Sequence, residues 1–182
     1  VFMAPKDEKR EINFETYDSG YKIETDDGKS IDLESYLWMI LPEQISLDYE
    51  EEALKAQTVI LRTDIVRRMG DSKKIEEEKL PYKRISDKKL KEALGSKKYS
   101  LKDQARKRAV SDTLGKVIVY KNTYIEPFFH GLSVGTTLSG KEWFGEGYPY
   151  LQAKDSLEDV ESRDYMSVTV LTYGEILEKI KE

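Results

Sequence analysis

DYEEEALKAQTVILRTDIVRRMG, Asp48 to Gly70, is the stretch whose reading decides the fold. Asp48 followed three residues later by Glu51 has the pattern of a capping box, in which two side chains satisfy the free backbone donors of a helix start. Gly70 is the residue type that turns a chain out of a helix at its C-terminal end. In between, Ala53, Leu54, Ala56, Val59, Ile60, Leu61, Ile65 and Val66 distribute apolar groups around far more than a one-sided stripe. A helix from Asp48 to Met69 is therefore expected to lie largely buried. Glu51, Lys55, Thr58 and Arg62, spaced i, i+4, i+7 and i+11, share the polar face that is left. That face reads either as a narrow solvent strip held by ion pairs or as the floor of a polar groove.

Working outward, Tyr21 to Leu33 alternates apolar and polar residues around Asp27 and Gly28, a hairpin pattern. Asp32 or Ser35 then caps a short helix carrying Tyr36, Leu37, Met39 and Ile40, which Pro42 ends or turns. On the other side, helices are expected over Asp87 to Leu94, stopped by Gly95, and over Leu101 to Leu114, with Ser100 as N-cap, Asp103 in the first turn and Gly115 as stop. VIVY, a Lys-Asn turn and TYIEPFF follow as a second hairpin. His130 to Gly147 reads as a long loop without structure of its own, in which Trp143 and Phe144 argue for order. A strand over Met166 to Leu171 and a terminal helix opened by Thr172 and Glu175 complete the chain. The expectation is an α+β fold: a single domain over residues 21–182 with a long buried central helix, several further helices and antiparallel hairpins, preceded by an extension over 1–20.

The 182 residues contain no cysteine and a single histidine, which excludes disulfides, a thiol nucleophile, thiolate zinc and a His-rich metal site. No apolar run approaches the ~20 residues of a membrane-spanning helix. Val1 is not a natural start, so an export signal or membrane anchor upstream is compatible with the sequence. The net charge of −5 conceals a polarised chain: residues 67–108 hold 16 Lys+Arg against 7 Asp+Glu. This basic helical segment, 66–110, reads either as a solvated lysine-rich insert or as a surface for an anionic partner. Only Tyr82 and Tyr99 fall within it, too few aromatics to stack bases, so nucleic acid is not an expected partner. His130 at a strand end reads either as a satisfied structural residue or as a site residue, and Ser133 lies in no nucleophile-elbow motif.

YLWMILPEQI at Tyr36 to Ile45, followed by EALKAQTVILRT at Glu52 to Thr63, resembles the stage II sporulation protein D family, in which a YL-x-GVVP-x-EMP segment leads into EALKAQAVAARTY. TLGKVIVYKNTYIEPFFH resembles the family's T-x-G-x-V-I-x-Y...FH stretch, HGLSVGTT its HSTSGGRT, and YPYLQAKDSLED its PYL-x-x-V-x-SP-x-D. The resemblance runs from about Tyr21 to the C-terminus. It implies a peptidoglycan lytic transglycosylase that cleaves glycan strands between N-acetylmuramic acid and N-acetylglucosamine, needs no metal or other cofactor, and works outside the cytoplasm at the surface or wall of a Gram-positive bacterium. Such chemistry requires one carboxylic acid, which protonates the leaving oxygen and, as carboxylate, takes the proton from the sugar's own 6-hydroxyl. The implied partners are peptidoglycan glycan strands, with other cell-wall hydrolases as further candidates.

By that resemblance the catalytic Glu falls two residues after Pro42 and eight before Glu52, and both counts give Gln44. Glu43 is its neighbour, one position out of register. Gln can hydrogen-bond a glycan oxygen but cannot titrate. Replacement of the acid in a glycan-binding or amidase-enhancing homologue, a local shift that brings Glu43 or another carboxylate into use, and an engineered substitution are the three explanations. Met39, Gly131, Leu132 and Val134 also depart from the motif. The resemblance assigns substrate-binding positions to Lys55, Gln57, Arg62, His130, Ser133 and Thr137. For Arg62, a buried pairing with a carboxylate is the other reading.

Overall fold

A computed structural model describes residues 12–163, 165–166 and 170–180. The chain falls into two compact units, 1–129 and 130–182, and the fold is α+β. Residues 1–11 of the expected extension lie outside the described residues.

In the first unit, β1 (Lys22–Glu24) and β2 (Ser30–Asp32) form the expected antiparallel hairpin, with Ile23 opposite Ile31 and Gly28 at φ 76 in the turn. A third strand, β3 (Lys74–Glu76), pairs with β1 in parallel, giving the order β2-β1-β3. Asp32 opens α1 (Leu33–Gln44): its carboxylate accepts from Glu34 N at 3.0 Å and also from Ser19 N and Oγ at 2.7 and 2.8 Å. One carboxylate thus fixes both the helix start and the segment that precedes the hairpin. Pro42 does not end α1, which continues to Gln44. A proline there cannot donate to the carbonyl one turn earlier. That carbonyl, of Trp38, accepts instead from Arg106 Nη1 at 3.4 Å, so the missing donor is replaced from another helix.

The central helix α2 (Glu51–Met69) begins three residues later than expected. No side-chain cap forms, because Asp48 pairs with Lys98 and Lys102 at 3.0 and 2.9 Å instead of folding over the helix start. Leu61 to Val66 are consecutively buried, while Glu52 and Ala56 before them and Arg68 after them remain exposed. The helix packs against α1, β3, α4 (Ser96–Ser111) and β5 (Thr123–Tyr124). The core formed there gathers Tyr36, Leu37, Ile40, Leu54, Leu61 and Ile65, among others.

α3 (Asp87–Leu94) matches its expected bounds, with Ser86 accepting from Lys89 N at 3.3 Å. α4 starts at Ser96 rather than Leu101, since Gly95 at φ 74 turns the chain directly from one helix into the next. Asp103 consequently lies mid-helix, not in a first turn. It holds Arg106 at 2.7 Å and accepts from the Trp38 indole at 3.1 Å, while the Arg106 guanidinium lies over the Trp38 ring at 4.3 Å. The second hairpin is shorter than expected: β4 (Val119–Tyr120) and β5 are joined by Lys121 and Asn122, both at positive φ. Such a turn matches the twist of paired strands.

In the second unit, the segment 130–147 is not without structure. It contains α5 (Gly140–Phe144), opened by a capping box between Ser139 and Glu142. It is also stitched to the chain that follows: Ser156 N donates to Gly135 O, Thr137 N to Lys154 O and Gly140 N to Leu151 O, at 2.7 to 2.8 Å. α6 (Tyr173–Ile180) follows Thr172 as expected. Of the strand expected over Met166 to Leu171, residues 167–169 lie outside the described residues, and Met166, Val170 and Leu171 are not in strand.

Candidate functional site

Gln44 is the last residue of α1, brought there because the helix survives Pro42. It is half-buried, and Glu43 beside it is exposed. Among the described residues neither side chain takes part in a hydrogen bond or ion pair. Glu43 faces solvent.

The polar face of α2 divides along its length. Arg62 is 1% exposed and grips Glu34 of α1 with a two-pronged bond, Nε to Oε1 at 2.9 Å and Nη2 to Oε2 at 2.6 Å. Its other donors go to Lys116 O at 3.1 Å and to the Thr113 hydroxyl at 3.3 and 3.4 Å. Every guanidinium nitrogen is thereby occupied. Of the two readings for Arg62, the structure takes the buried pairing, and the residue does not line a groove. Thr58, one turn before, is fully buried with its hydroxyl donating to Leu54 O at 2.8 Å. Gln57 is also buried, and its Oε1 has no hydrogen-bond partner. A buried acceptor left in this way costs about 1–3 kcal/mol.

Nearer its start the same face reaches the surface. Lys55 contacts Glu52 at 2.8 Å, Asp112 at 3.0 Å and Glu51 at 3.3 Å, and the bonds to Glu52 and Asp112 push its ammonium well above the ordinary lysine value. Arg108 meets Glu51 from α4 at 2.9 Å. Burial pushes the Glu51 carboxyl up, but Arg108 and Lys55 outweigh it and leave the group below its ordinary value. Glu51, Lys55, Arg108 and Asp112 line a cleft of about 1290 Å³, which Trp38 and Phe14 also line. Glu51 and Lys55 thus fit both readings of the α2 face, being ion-paired at the surface and lining this cleft, while Thr58 and Arg62 are buried and fit neither. Glu43 and Gln44 are not among the residues lining this cleft.

His130, Ser133 and Thr137 belong to the second unit. His130 is exposed. Ser133 donates to Asp159 Oδ2 through both its backbone N at 2.8 Å and its hydroxyl at 2.6 Å, and these bonds, aided by the nearby His130, hold the Asp159 carboxyl below its ordinary value. The Ser133 hydroxyl also accepts from Gly135 N at 3.2 Å. Gly135 sits at φ 96, where a side chain is strained, and a Cβ there would stand 3.0 Å from Val160. The Thr137 hydroxyl accepts from Lys154 N at 2.9 Å. Ser133 and Thr137 thus hold the loop to the segment behind it.

Sequence reading missed Glu34, the buried partner of Arg62, because twenty-eight residues separate them and nothing local marks the pair. It also missed the Trp38, Asp103 and Arg106 cluster, for which the i, i+3 spacing of Asp103 and Arg106 was the available signal. Among the described residues, no three His, Cys, Asp or Glu side chains are grouped to hold a metal ion, and no helix is long and apolar enough to cross a membrane.

The match to a family model falls within the first unit, whereas the matches to two Bacillus relatives extend beyond it. Residues 21–120 match the family model described as stage II sporulation protein. The stage II sporulation protein D of Bacillus subtilis (strain 168) is 29% identical over 170 residues, covering 88% of this chain and 49% of its own length. That of Bacillus amyloliquefaciens is 27% identical over 168 residues, covering 88% and 48%. An uncharacterized protein of Brachyspira hyodysenteriae (strain ATCC 49526 / WA1) is 31% identical over 121 residues, covering 66% and 31%. The chain spans about half the length of the two Bacillus relatives.

Proposed function

Because this chain belongs to the stage II sporulation protein family, we propose that it is a cell-wall protein that engages peptidoglycan glycan strands without cutting them. The observation that carries the reading is the end of α1: Gln44 stands where the family resemblance expects the acid, and Glu43 beside it faces solvent with no partner among the described residues. A glutamine amide donates and accepts hydrogen bonds, so it can hold a sugar oxygen, but it has no proton to deliver to a leaving group. Glu34, the buried carboxylate on the same helix, offers no substitute because both its oxygens are bound to Arg62.

Beside the departures at Met39, Gly131, Leu132 and Val134, the missing acid is the defect to which this reading ties the loss of cleavage. Lytic cleavage uses the sugar's own 6-hydroxyl as nucleophile, so a single carboxylic acid at position 44 is sufficient in principle. Gln44→Glu and Gln44→Ala, each incubated with purified peptidoglycan, provide the test. Release of 1,6-anhydromuropeptides by the Glu variant alone supports the reading. Absence of product from the Glu variant would mean that the acid has been placed at the wrong residue.

A further inference from the structure

Beyond the glycan site, we propose that the exposed lysine surface of α3 and the adjoining start of α4 binds a flexible phosphodiester polymer without bases, of the poly(glycerol phosphate) type. From Lys83 to Lys98 the chain carries seven cations against only Asp87 and Glu92. α3 turns Leu90 and Leu94 to the core, which leaves Lys88, Lys89 and Lys91 exposed, with Lys83 before them and Lys97 after. None of these five lysines forms an ion pair among the described residues. Every arginine of the basic segment, by contrast, is spent on a carboxylate of this chain. Arg67 and Arg68 bind Asp64, Arg84 binds Glu77 through two bonds of 2.6 and 2.7 Å, Arg106 binds Asp103 and Asp87, and Arg108 binds Glu51.

That division leaves only lysines to meet a ligand. Arginine forks match carboxylate and phosphate alike, but those of the basic segment are all engaged within the chain, whereas lysine ammonium groups act as point charges with freely turning donors that can follow the phosphate oxygens of a flexible polymer. Binding of bases needs exposed aromatic platforms. Tyr82 and Tyr99 are instead half-buried, with the Tyr82 hydroxyl donating to Asp64 at 2.7 Å and Arg106 lying over the Tyr99 ring. Membrane insertion needs exposed apolar side chains, and residues 83–98 expose no large one. What remains is a row of unpaired cations offered to a polyanion through charge alone, repelled by little of its own segment.

Titration of the whole chain with poly(glycerol phosphate) at several salt concentrations tests this, beside a five-lysine variant, K83Q/K88Q/K89Q/K91Q/K97Q, checked for native circular dichroism. Single-stranded DNA of equal phosphate number and anionic phospholipid vesicles are the competing probes. Five phosphate contacts give a slope of about −3.5 in log affinity against log salt, so binding weakens about 100-fold between roughly 50 and 200 mM. The variant is expected to lose both the affinity and the slope. No binding at low salt, an unchanged slope in the variant, or tighter binding to DNA or vesicles would each overturn the proposal. The readout is independent of glycan cleavage, so its failure leaves the account of Gln44 untouched.

Discussion

Replacing Glu34 by Gln breaks the most enclosed ion pair of the first unit while keeping the shape of the side chain. Glu34 and Arg62 are 2% and 1% exposed, and the guanidinium has no water to turn to when the charge opposite is removed. One amide oxygen can still accept from Arg62, but the second prong at 2.6 Å meets an NH2 group, so a donor faces a donor. Leaving a buried charge uncompensated costs about 3–5 kcal/mol. For a chain whose total stability lies in the range of about 5–15 kcal/mol, that is a large share. At roughly 2–4 °C per kcal/mol for a chain of this size, the melting temperature should fall by about 6–20 °C. Thermal and urea denaturation followed by circular dichroism measure it. The double change Glu34→Leu with Arg62→Met removes both charges together and should recover most of the loss, because no ion is then left unpaired. A fall of under about 1 kcal/mol for Glu34→Gln, or a double variant as unstable as the two single losses added, would refute the claim that Arg62 is a structural cation.

Asp64 gives an acid-stability prediction. Burial pushes its carboxyl up, but bonds from Arg68, Tyr82 and Arg67 outweigh this and hold it below the ordinary 3.8. A depressed carboxylate contributes stability above its unfolded value, and the contribution is lost as pH falls through the lower folded value. Wild type should therefore lose stability on acidification below about pH 4 more steeply than Asp64→Asn, as read from urea midpoints along a pH series. In the second unit, a Cβ at Gly140 would lie 2.5 Å from Tyr148 O and 2.9 Å from Leu151 Cβ, while one at Gly131 would meet nothing within 4 Å. Gly140→Ala should cost about 1–3 kcal/mol and open the 130–160 segment to protease, with Gly131→Ala neutral by the same assay.

What could be read from the sequence was mostly what is decided locally. Asp32, Ser86, Gly70 and Gly95 each act within a few residues, and the helix ends they mark stand where expected. The same local logic failed at Asp48, whose lysine partners lie fifty residues or more away, and at Ser100, because Gly95 had already turned the chain into α4. β3 was invisible for a related reason: Ile75 is its only apolar residue, and its partner β1 lies about fifty residues earlier in a parallel pairing. At the candidate site, motif order located Gln44 and the polar face of α2. Burial along that face depends on α1 and the turn after α4, where Glu34, Thr113 and Lys116 O take the donors of Arg62, while Lys55 nearer the helix start stays partly exposed.

Under the proposed function the chain holds a glycan strand and lacks the acid to cut it. Wild-type protein incubated with insoluble peptidoglycan permits both halves to be read from one sample, by sedimentation of the protein and by mass spectrometry of the soluble products. Protein in the pellet with no 1,6-anhydromuropeptide in the supernatant is the predicted result. Anhydromuropeptides released by the wild-type chain would contradict it.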